Sequence, residues 1–259
     1  NMLIGITSGI SFARFFFYLM PVALLSTAAL ILVMYLFYRK AFERGFDSSS
    51  ETSIEAQAHD AEAMKRLVPI LILVMVAFFL SSFLKVGIPL IALGAAPLVL
   101  LLGRRKPSAI VKEVDWTLLL FFAGLFVIIG GAHKAGVLDV FMKGIVIAPD
   151  LSGIVSVALV STAVSQLVSN VPLTMLVIPL LKNVPGDVLW IALAAGATLG
   201  GNLTIIGAVA NIIVAEGAAR EGVSLDFMEF LKVGAVVTAV TVALAVLVLG
   251  GEYWLGWLR

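Results

Sequence analysis

The chain has 259 residues, of which 61% are hydrophobic and 13% charged, whereas an ordinary soluble domain has about 25% charged residues. Its mean hydropathy is +1.13, its net charge is +1 and it has no cysteine, which excludes a soluble domain, a disulfide framework and a thiolate metal site. No basic, aromatic-rich patch suggests nucleic-acid binding. The long apolar stretches are continuous and do not alternate, so the sequence predicts an all-α polytopic membrane protein.

Charge-poor stretches alternate along the chain with short polar loops. The segment after the first span has a soluble composition, which predicts a loop with a short surface helix. The segment "GGAHKAGVLDVFMKG" predicts a short amphipathic helix at the opposite surface, with His133 in an interfacial turn. Asp115 is the predicted N-cap of the fourth span. The predicted spans are 15–38, 67–84, 89–102, 116–129 and 233–249, and the first loop is 41–66.

The distribution of positive charge predicts the topology. The loop 41–66 with its flanking Arg39 and Lys40, together with 103–113 and 216–232, holds 11 of the 17 Lys and Arg residues and is therefore predicted to be cytoplasmic. The charge-free stretch 151–181 must then begin and end on the outer side. It is predicted to be a re-entrant helical hairpin, and the C-terminus is predicted to lie outside.

A weak internal repeat divides the chain. "LIGITSGISF" and "IIGAVANIIV" both contain the pattern I-G-x4-I, and each precedes a serine, an aromatic stretch and an apolar span. This similarity predicts that 1–12 is the end of a first repeat and 13–40 a transmembrane span. Residues 67–259 are then a second repeat.

Polar residues interrupt two neighbouring apolar stretches. The predicted hairpin contains "VSNVPLTMLVIPLL", and 188–215 contains "GATLGGNLTIIGAVANIIV", which predicts a broken transmembrane helix. Unsatisfied backbone groups at membrane depth are tolerated only where protein or a water-filled cavity covers them. The candidate residues are Ser169, Asn170, Val171, Pro172 and Thr174 of the hairpin, with Gly200, Gly201, Asn202, Thr204, Gly207 and Asn211 of the break.

Two successive interrupted helices are typical of a transporter site. Half-helix N-termini attract anions, and freed carbonyl, amide and hydroxyl oxygens coordinate sodium. A second interpretation stays open, because small and polar residues also favour close helix packing in membranes. No carboxylate lies within either charge-free stretch, which favours sodium coupling or a proton relay elsewhere.

Three segments resemble the ion transporter superfamily, which includes citrate-transporter-like, arsenite-permease-like and divalent-anion/sodium symporter proteins. They are "VDWTLLLFFAGLFVIIGG", "VSNVPLTMLVIPLL" and "GATLGGNLTIIGAVANIIVAEGAAREG". The resemblance implies two inverted repeats, each with a re-entrant hairpin and a broken helix, in an elevator-like homodimer. Ser169 and Asn170 match the Ser-Asn of the hairpin tip, and Asn202 and Thr204 fall at the matching break. The resemblance therefore implies a sodium site with Ser169, Asn170 and Asn202 as ligands. Val171 stands where the dicarboxylate branch often has threonine, which makes a typical dicarboxylate site doubtful.

The sequence therefore predicts a secondary active transporter and not an enzyme. Its substrate is a small inorganic or organic anion (arsenite, citrate or another carboxylate, or sulfate), coupled to Na⁺ or H⁺, and it needs no resident cofactor. It is expected in the cell (inner) membrane as a multi-pass protein surrounded by lipid. Two alternatives remain: a sodium/proton antiporter, whose buried carboxylate would come from sequence before Asn1, and a non-transporting truncated membrane protein.

Overall fold

The structure is a computed structural model and describes residues 1–43, 61–102, 108, 112, 116–136, 146–168 and 170–258. Every regular element in these ranges is a helix. In chain order the elements are α1 (Met2–Ser8), α2 (Phe12–Glu43), α3 (Ala61–Leu84), α4 (Ile88–Leu102), α5 (Trp116–Lys134), α6 (Leu151–Val168), α7 (Asn170–Leu181), α8 (Val188–Gly200), a 3₁₀ turn (Ile205–Gly207), α9 (Val209–Arg220) and α10 (Phe227–Trp254).

Among the described helices, four are long and apolar enough to cross a membrane, namely α2, α3, α6 and α10. Large apolar side chains along them are exposed, as expected for surfaces that contact lipid. The prediction of an all-α polytopic membrane protein is confirmed. Helices α7 and α8 have 12 and 13 residues, which at about 1.5 Å per residue is too short for a hydrocarbon core of about 30 Å.

Several helices extend beyond the predicted spans. Helix α2 continues through Arg39 and Lys40, and α10 adds a turn or more at each end of 233–249. The backbone hydrogen bonds of a helix can continue past its apolar stretch, because long charged side chains at the helix ends extend toward water. Helix α3 begins at Ala61, inside the predicted loop 41–66, and 44–60 lies outside the described residues.

The predicted amphipathic helix after the fourth span is corrected in part. Helix α5 runs on to Lys134, so His133 is helical and not in a turn. The remainder, 137–145, and the predicted N-cap Asp115 lie outside the described residues.

The chain folds into two units, of which the smaller comprises 11–14 and 41–122. Within it α3 and α4 are joined by a tight turn, where Lys85 has φ 53° and the Val86 N–H donates to the Ser81 carbonyl at 3.2 Å. The Phe12 ring packs edge-on against Phe79 with centroids 5.0 Å apart.

The larger unit comprises 1–10, 15–40 and 123–259, and α8 lies at its centre. Every residue of α8 except Thr198 is buried. Helix α6 packs along it without intervening side chains, because a Cβ at Gly196 would lie 2.5 Å from the Ala158 carbonyl oxygen. Gly153 likewise faces Leu189, so α6 and α8 run parallel and their backbones touch.

Helices α6 and α7 form a helical hairpin. If α7 continued in the direction of α6, Leu181 would lie about 18 Å beyond the end of α6. Val188, however, lies beside the start of α6, about 22 Å back from that end. The connection 182–187 reaches only about 25 Å when fully extended. Helix α7 therefore returns antiparallel to α6.

Helix α10 runs antiparallel to α6 and covers the same core. Its residue Gly234 packs directly against the carbonyl oxygens of Asn202 and Leu203, and Gly250 meets Leu151 at the start of α6. At that end Asp150 caps α6, since its Oδ1 accepts from the Ser152 hydroxyl at 2.6 Å and from the Gly153 N–H at 3.0 Å. The Ser152 hydroxyl, and secondly the Gly153 N–H, hold the pKa of Asp150 below its usual value.

Candidate functional site

The hairpin tip places one amide oxygen in a buried position without a partner. Asn170 is the first residue of α7, and its Oδ1 is buried and accepts no hydrogen bond within the described part of the chain. The Thr174 hydroxyl donates to the Asn170 carbonyl at 2.7 Å and so is already used inside α7. Ser169, the other tip residue, lies outside the described residues.

The predicted helix break is confirmed between α8 and α9. After Gly200 the chain leaves the α-helix, and Thr204 and Ala208 are extended, with φ of −132° and −143°. The Gly201 and Thr204 carbonyls, which have lost their helical donors, both accept from the Asn211 side-chain amide, at 2.7 and 3.1 Å. Asn211 therefore holds the break in its irregular conformation.

Gln166 joins the hairpin to the break, and the sequence analysis missed it. Its Nε2 lies 2.7 Å from the Gly200 carbonyl oxygen, and its Oε1 accepts from the Thr204 hydroxyl at 3.0 Å. The signal was present, because a glutamine within a charge-free span is costly unless its amide is paired. Its partners, 34 and 38 residues away, are visible only in the fold.

Two glycines let these parts approach. A Cβ at Gly207 would lie 2.6 Å from the Gln166 Oε1, and one at Gly201 would lie 3.5 Å from the Asn170 Nδ2. A side chain at Gly207 would displace the Gln166 amide from its present position. The structure thus brings Asn170, Gly201, Thr204 and Gly207 together, and their role in binding stays a prediction.

Asn202 lies elsewhere. It lines a cavity of about 340 Å³ whose other walls come from α2, α10 and the segment that leads into α10. There Tyr38 donates to Glu229 Oε1 at 3.0 Å. The contacts described for Asn202 do not join it to Asn170, so its predicted role as a sodium ligand with the tip stays a prediction.

The remaining hairpin residues differ in their burial. Val171 is 36% exposed, Pro172 is half-buried and Thr174 is buried. The segment predicted as the end of a first repeat also reaches the broken helix, because the Asn1 amide donates to the Thr198 hydroxyl at 3.0 Å. Residues from both predicted repeats therefore meet on α8.

One buried carboxylate was also missed. Glu252 is 6% exposed, and its Oε2 has no hydrogen-bond partner among the described residues. The predicted span ended at residue 249, which placed Glu252 outside the membrane helix that actually contains it.

Comparison with known proteins places the chain in a family. A family model described as "Citrate transporter" matches residues 1–188. The chain is 33% identical to the "46 kDa membrane protein" of Mycobacterium leprae over 100% of this chain and 62% of that protein. It is 29% identical to an "Uncharacterized transporter" of Synechocystis over 95% of this chain and 62% of that protein.

A third relative is the "P protein" of Homo sapiens, 34% identical over 73% of this chain and 25% of that protein. No solved structure matches the chain. The chain spans 62% of the length of the bacterial relatives that it matches most fully. With the family model covering residues 1–188, the chain belongs to the citrate transporter family.

Proposed function

We propose that the protein is a secondary active transporter of small anions, with citrate-class carboxylates as the first candidates and arsenite and sulfate as the others. Transport is coupled to a cation held between the hairpin tip and the helix break. The observation that carries this proposal is the buried, unpartnered Oδ1 of Asn170. The other atom of that amide, Nδ2, lies beside Gly201 of the break. A buried acceptor without a donor costs about 1–3 kcal/mol, which a bound cation would offset.

The polarity of the site favours a cation. The Thr204 hydroxyl gives its proton to Gln166, and the Asn211 amide protons go to two carbonyls of the break. The acceptor capacity that remains among these groups lies on Thr204 Oγ1 and Asn170 Oδ1, and Asn170 Nδ2 adds donors beside Gly201. Neutral oxygens of this kind suit a hard monovalent cation such as Na⁺. Ser169 and Asn202 stay in the proposed ligand set as predictions from the sequence.

The anion has a different place to bind. Helix α9 begins after Ala208 without a side-chain cap, so the positive end of its dipole and its first N–H groups are open to a carboxylate. This half-helix starts at the break, a few residues from Thr204. Cation and anion would thus lie on adjacent groups of one broken helix and neutralise each other.

A sodium/proton antiporter is favoured less. It requires a carboxylate at the transport site, and the buried candidate within the described ranges is Glu252. Gly234 packs on the break, and Glu252 lies 18 residues further along the same helix, about 27 Å away. That distance is too great for direct proton exchange with a cation at the break.

The membrane arrangement remains part of the proposal. Helices too short to cross the bilayer, α7 and α8, support a re-entrant hairpin and a half-helix. Residues 41–66, 103–113 and 216–232 are proposed to face the cytoplasm of a cell-membrane homodimer that moves by an elevator-like step.

The test is uptake into proteoliposomes by the intact protein, with a panel of citrate, succinate, arsenite and sulfate, with and without Na⁺ and pH gradients. Asn170→Ala is expected to raise the Na⁺ concentration for half-maximal uptake by more than tenfold, because it removes the unpaired oxygen. Asn202→Ala is expected to abolish coupled uptake. Asn183→Ala, in the exposed turn after α7, is the matched control and should behave as wild type.

Uptake that is independent of every cation gradient would overturn the coupling. Full Na⁺-dependent uptake in the Asn170→Ala and Asn202→Ala variants would remove the site from the hairpin tip and the break. Uptake of none of the four anions by the wild-type protein would leave the anion-transporter proposal without support.

A further inference from the structure

The Gln166 side chain hydrogen-bonds both to its own helix and to the break. It lies in the last turns of α6, half-buried, four residues before Asn170. Its Nε2 lies within hydrogen-bond distance of the Gly200 carbonyl at 2.7 Å, the Ser165 hydroxyl at 2.9 Å and the Thr162 carbonyl at 3.1 Å. Two of these partners belong to its own helix, and the shortest contact crosses to the break.

The contact to Gly200 replaces a lost helical bond. In a continuous helix the Gly200 carbonyl would accept from the N–H four residues on, at Thr204. Thr204 is extended, so its N–H does not make this bond. Among the backbone N–H groups described, the Leu203 N–H donates to the Gly200 carbonyl, at 3.0 Å. The Gln166 amide supplies the second donor and stabilises the chain where α8 ends.

The contact to Thr204 fixes the direction of a proton. A hydroxyl has one proton and two lone pairs, and the Thr204 proton is committed to the Gln166 Oε1 at 3.0 Å. The lone pairs are left for a ligand. A hydroxyl held in this way accepts from or coordinates a positive group and does not donate to an anion.

The 3₁₀ turn is also fitted to this side chain. A Cβ at Gly207 would lie only 2.6 Å from the Gln166 Oε1, so the absence of a side chain there lets the turn close on the amide. One side chain therefore contacts the end of α8, the extended residue of the break and the turn that leads into α9.

We infer that Gln166 is a positioning residue that makes the Thr204 hydroxyl a cation ligand and holds the break against the first arm of the hairpin. This inference rests on the proposed cation-coupled transport. It assigns to Gln166 an effect on cation affinity, with no contact to the anion.

A glutamate at this position provides the discriminating variant. A protonated carboxyl has one donor and one acceptor, so Gln166→Glu in its acid form can donate to Gly200 and accept from Thr204, as the amide does. The ionised form has only acceptors, which repel the Gly200 carbonyl. The variant should therefore gain a pH dependence that the wild type lacks.

The experiment measures uptake by the intact protein in proteoliposomes as a function of Na⁺ and of anion, from about pH 5 to 8.5, with each variant normalised to wild type at the same pH. Gln166→Ala is expected to raise the half-saturating Na⁺ concentration at least tenfold and to leave the anion KM within about twofold. Gln166→Glu should stay within about threefold of wild type at low pH, and its half-saturating Na⁺ concentration should shift away from that of wild type as the pH rises and the carboxyl ionises. Thr241→Val is the control, since it removes a buried hydroxyl that bonds only within α10.

The outcomes separate this inference from the proposed function. Equal changes in Na⁺ half-saturation and anion KM, or a Gln166→Glu profile parallel to wild type, would overturn the positioning role while cation-coupled transport stands. Cation-independent uptake by the wild type would overturn the proposed function itself. If Gln166→Ala fails to insert, the pH profile of Gln166→Glu decides alone.

Discussion

The contact between α6 and α8 gives the sharpest test of the architecture, through Gly196→Ala. The new Cβ would lie 2.5 Å from the Ala158 carbonyl oxygen and 2.9 Å from its Cα, where ordinary contacts exceed 3.4 Å. Both obstacles are backbone atoms, which no side-chain rotation can remove. Overpacking of this kind costs about 3 kcal/mol, and the better helix propensity of alanine returns about 1 kcal/mol. The net loss is about 2 kcal/mol, or about 4–8 °C in Tm for a unit of this size.

The assay is a thermal-stability series of the full chain in detergent, followed by fluorescence-detected size exclusion. Gly217→Ala is the matched control, because α9 leaves open space around that glycine and nothing lies within 4 Å of its new Cβ. Its Tm should stay the same or rise by a few degrees. If Gly196→Ala and Gly217→Ala had the same Tm, α6 and α8 would not touch at Ala158, and the hairpin direction derived from that contact would be wrong.

Three further predictions address the cap, a turn and the tip. Asp150→Ala should lower Tm at pH 7, and the difference from wild type should shrink at acidic pH. The pKa of Asp150 is lower in the folded protein than its unfolded value of about 3.9. The ionised side chain therefore stabilises the fold above about pH 3.9, and this effect is lost as the pH falls through the pKa of the folded state. Gly9→Ala should cost about 1–2 kcal/mol in the same stability assay, because Gly9 ends α1 with φ +73°, whereas Gly5→Ala within α1 should not. Val171→Thr should lower the KM for succinate about fivefold or more in uptake assays, because it adds a hydroxyl beside Asn170. Val168→Thr, on the other side of the tip, is the control and should leave this KM unchanged. Equal KM values for the two variants would contradict the role of Val171.

The sequence was sufficient for the features that depend on local chemistry. A Gly-Gly-Asn cluster in an apolar stretch predicts that the helix breaks, and α8 does end at Gly200. Loop charges and the absence of charge in 151–181 predict a re-entrant hairpin. Helices α6 and α7 form an antiparallel pair, and its re-entrant placement in the membrane stays a prediction. The break follows from the cost of leaving backbone groups unsatisfied in lipid, and the hairpin from the distribution of positive charge.

Other features depend on which helix faces which, and the sequence does not contain that information locally. Asn170 and Asn202 each interrupt a charge-free apolar stretch, yet Asn202 faces α2 and α10. Gln166 carries a signal as strong as that of either asparagine, but its role depends on the parallel packing of α6 and α8. Glu252 was placed outside the last span because apolar windows end where hydropathy falls and not where the helix ends.

The carbonyl groups of the break show why the side chains of Gln166 and Asn211 act together. A broken helix in a membrane must find new donors for the carbonyls that lose theirs, and here Gln166 and Asn211 supply them from opposite sides of the break. Because these donors come from the protein itself, the break can persist without a ligand. The exception among the described site residues is the Asn170 Oδ1, which no donor reaches. An ion that binds there gains free energy by satisfying the Asn170 Oδ1 and does not have to order the break. Its binding can therefore be weak enough to be reversible, as transport requires.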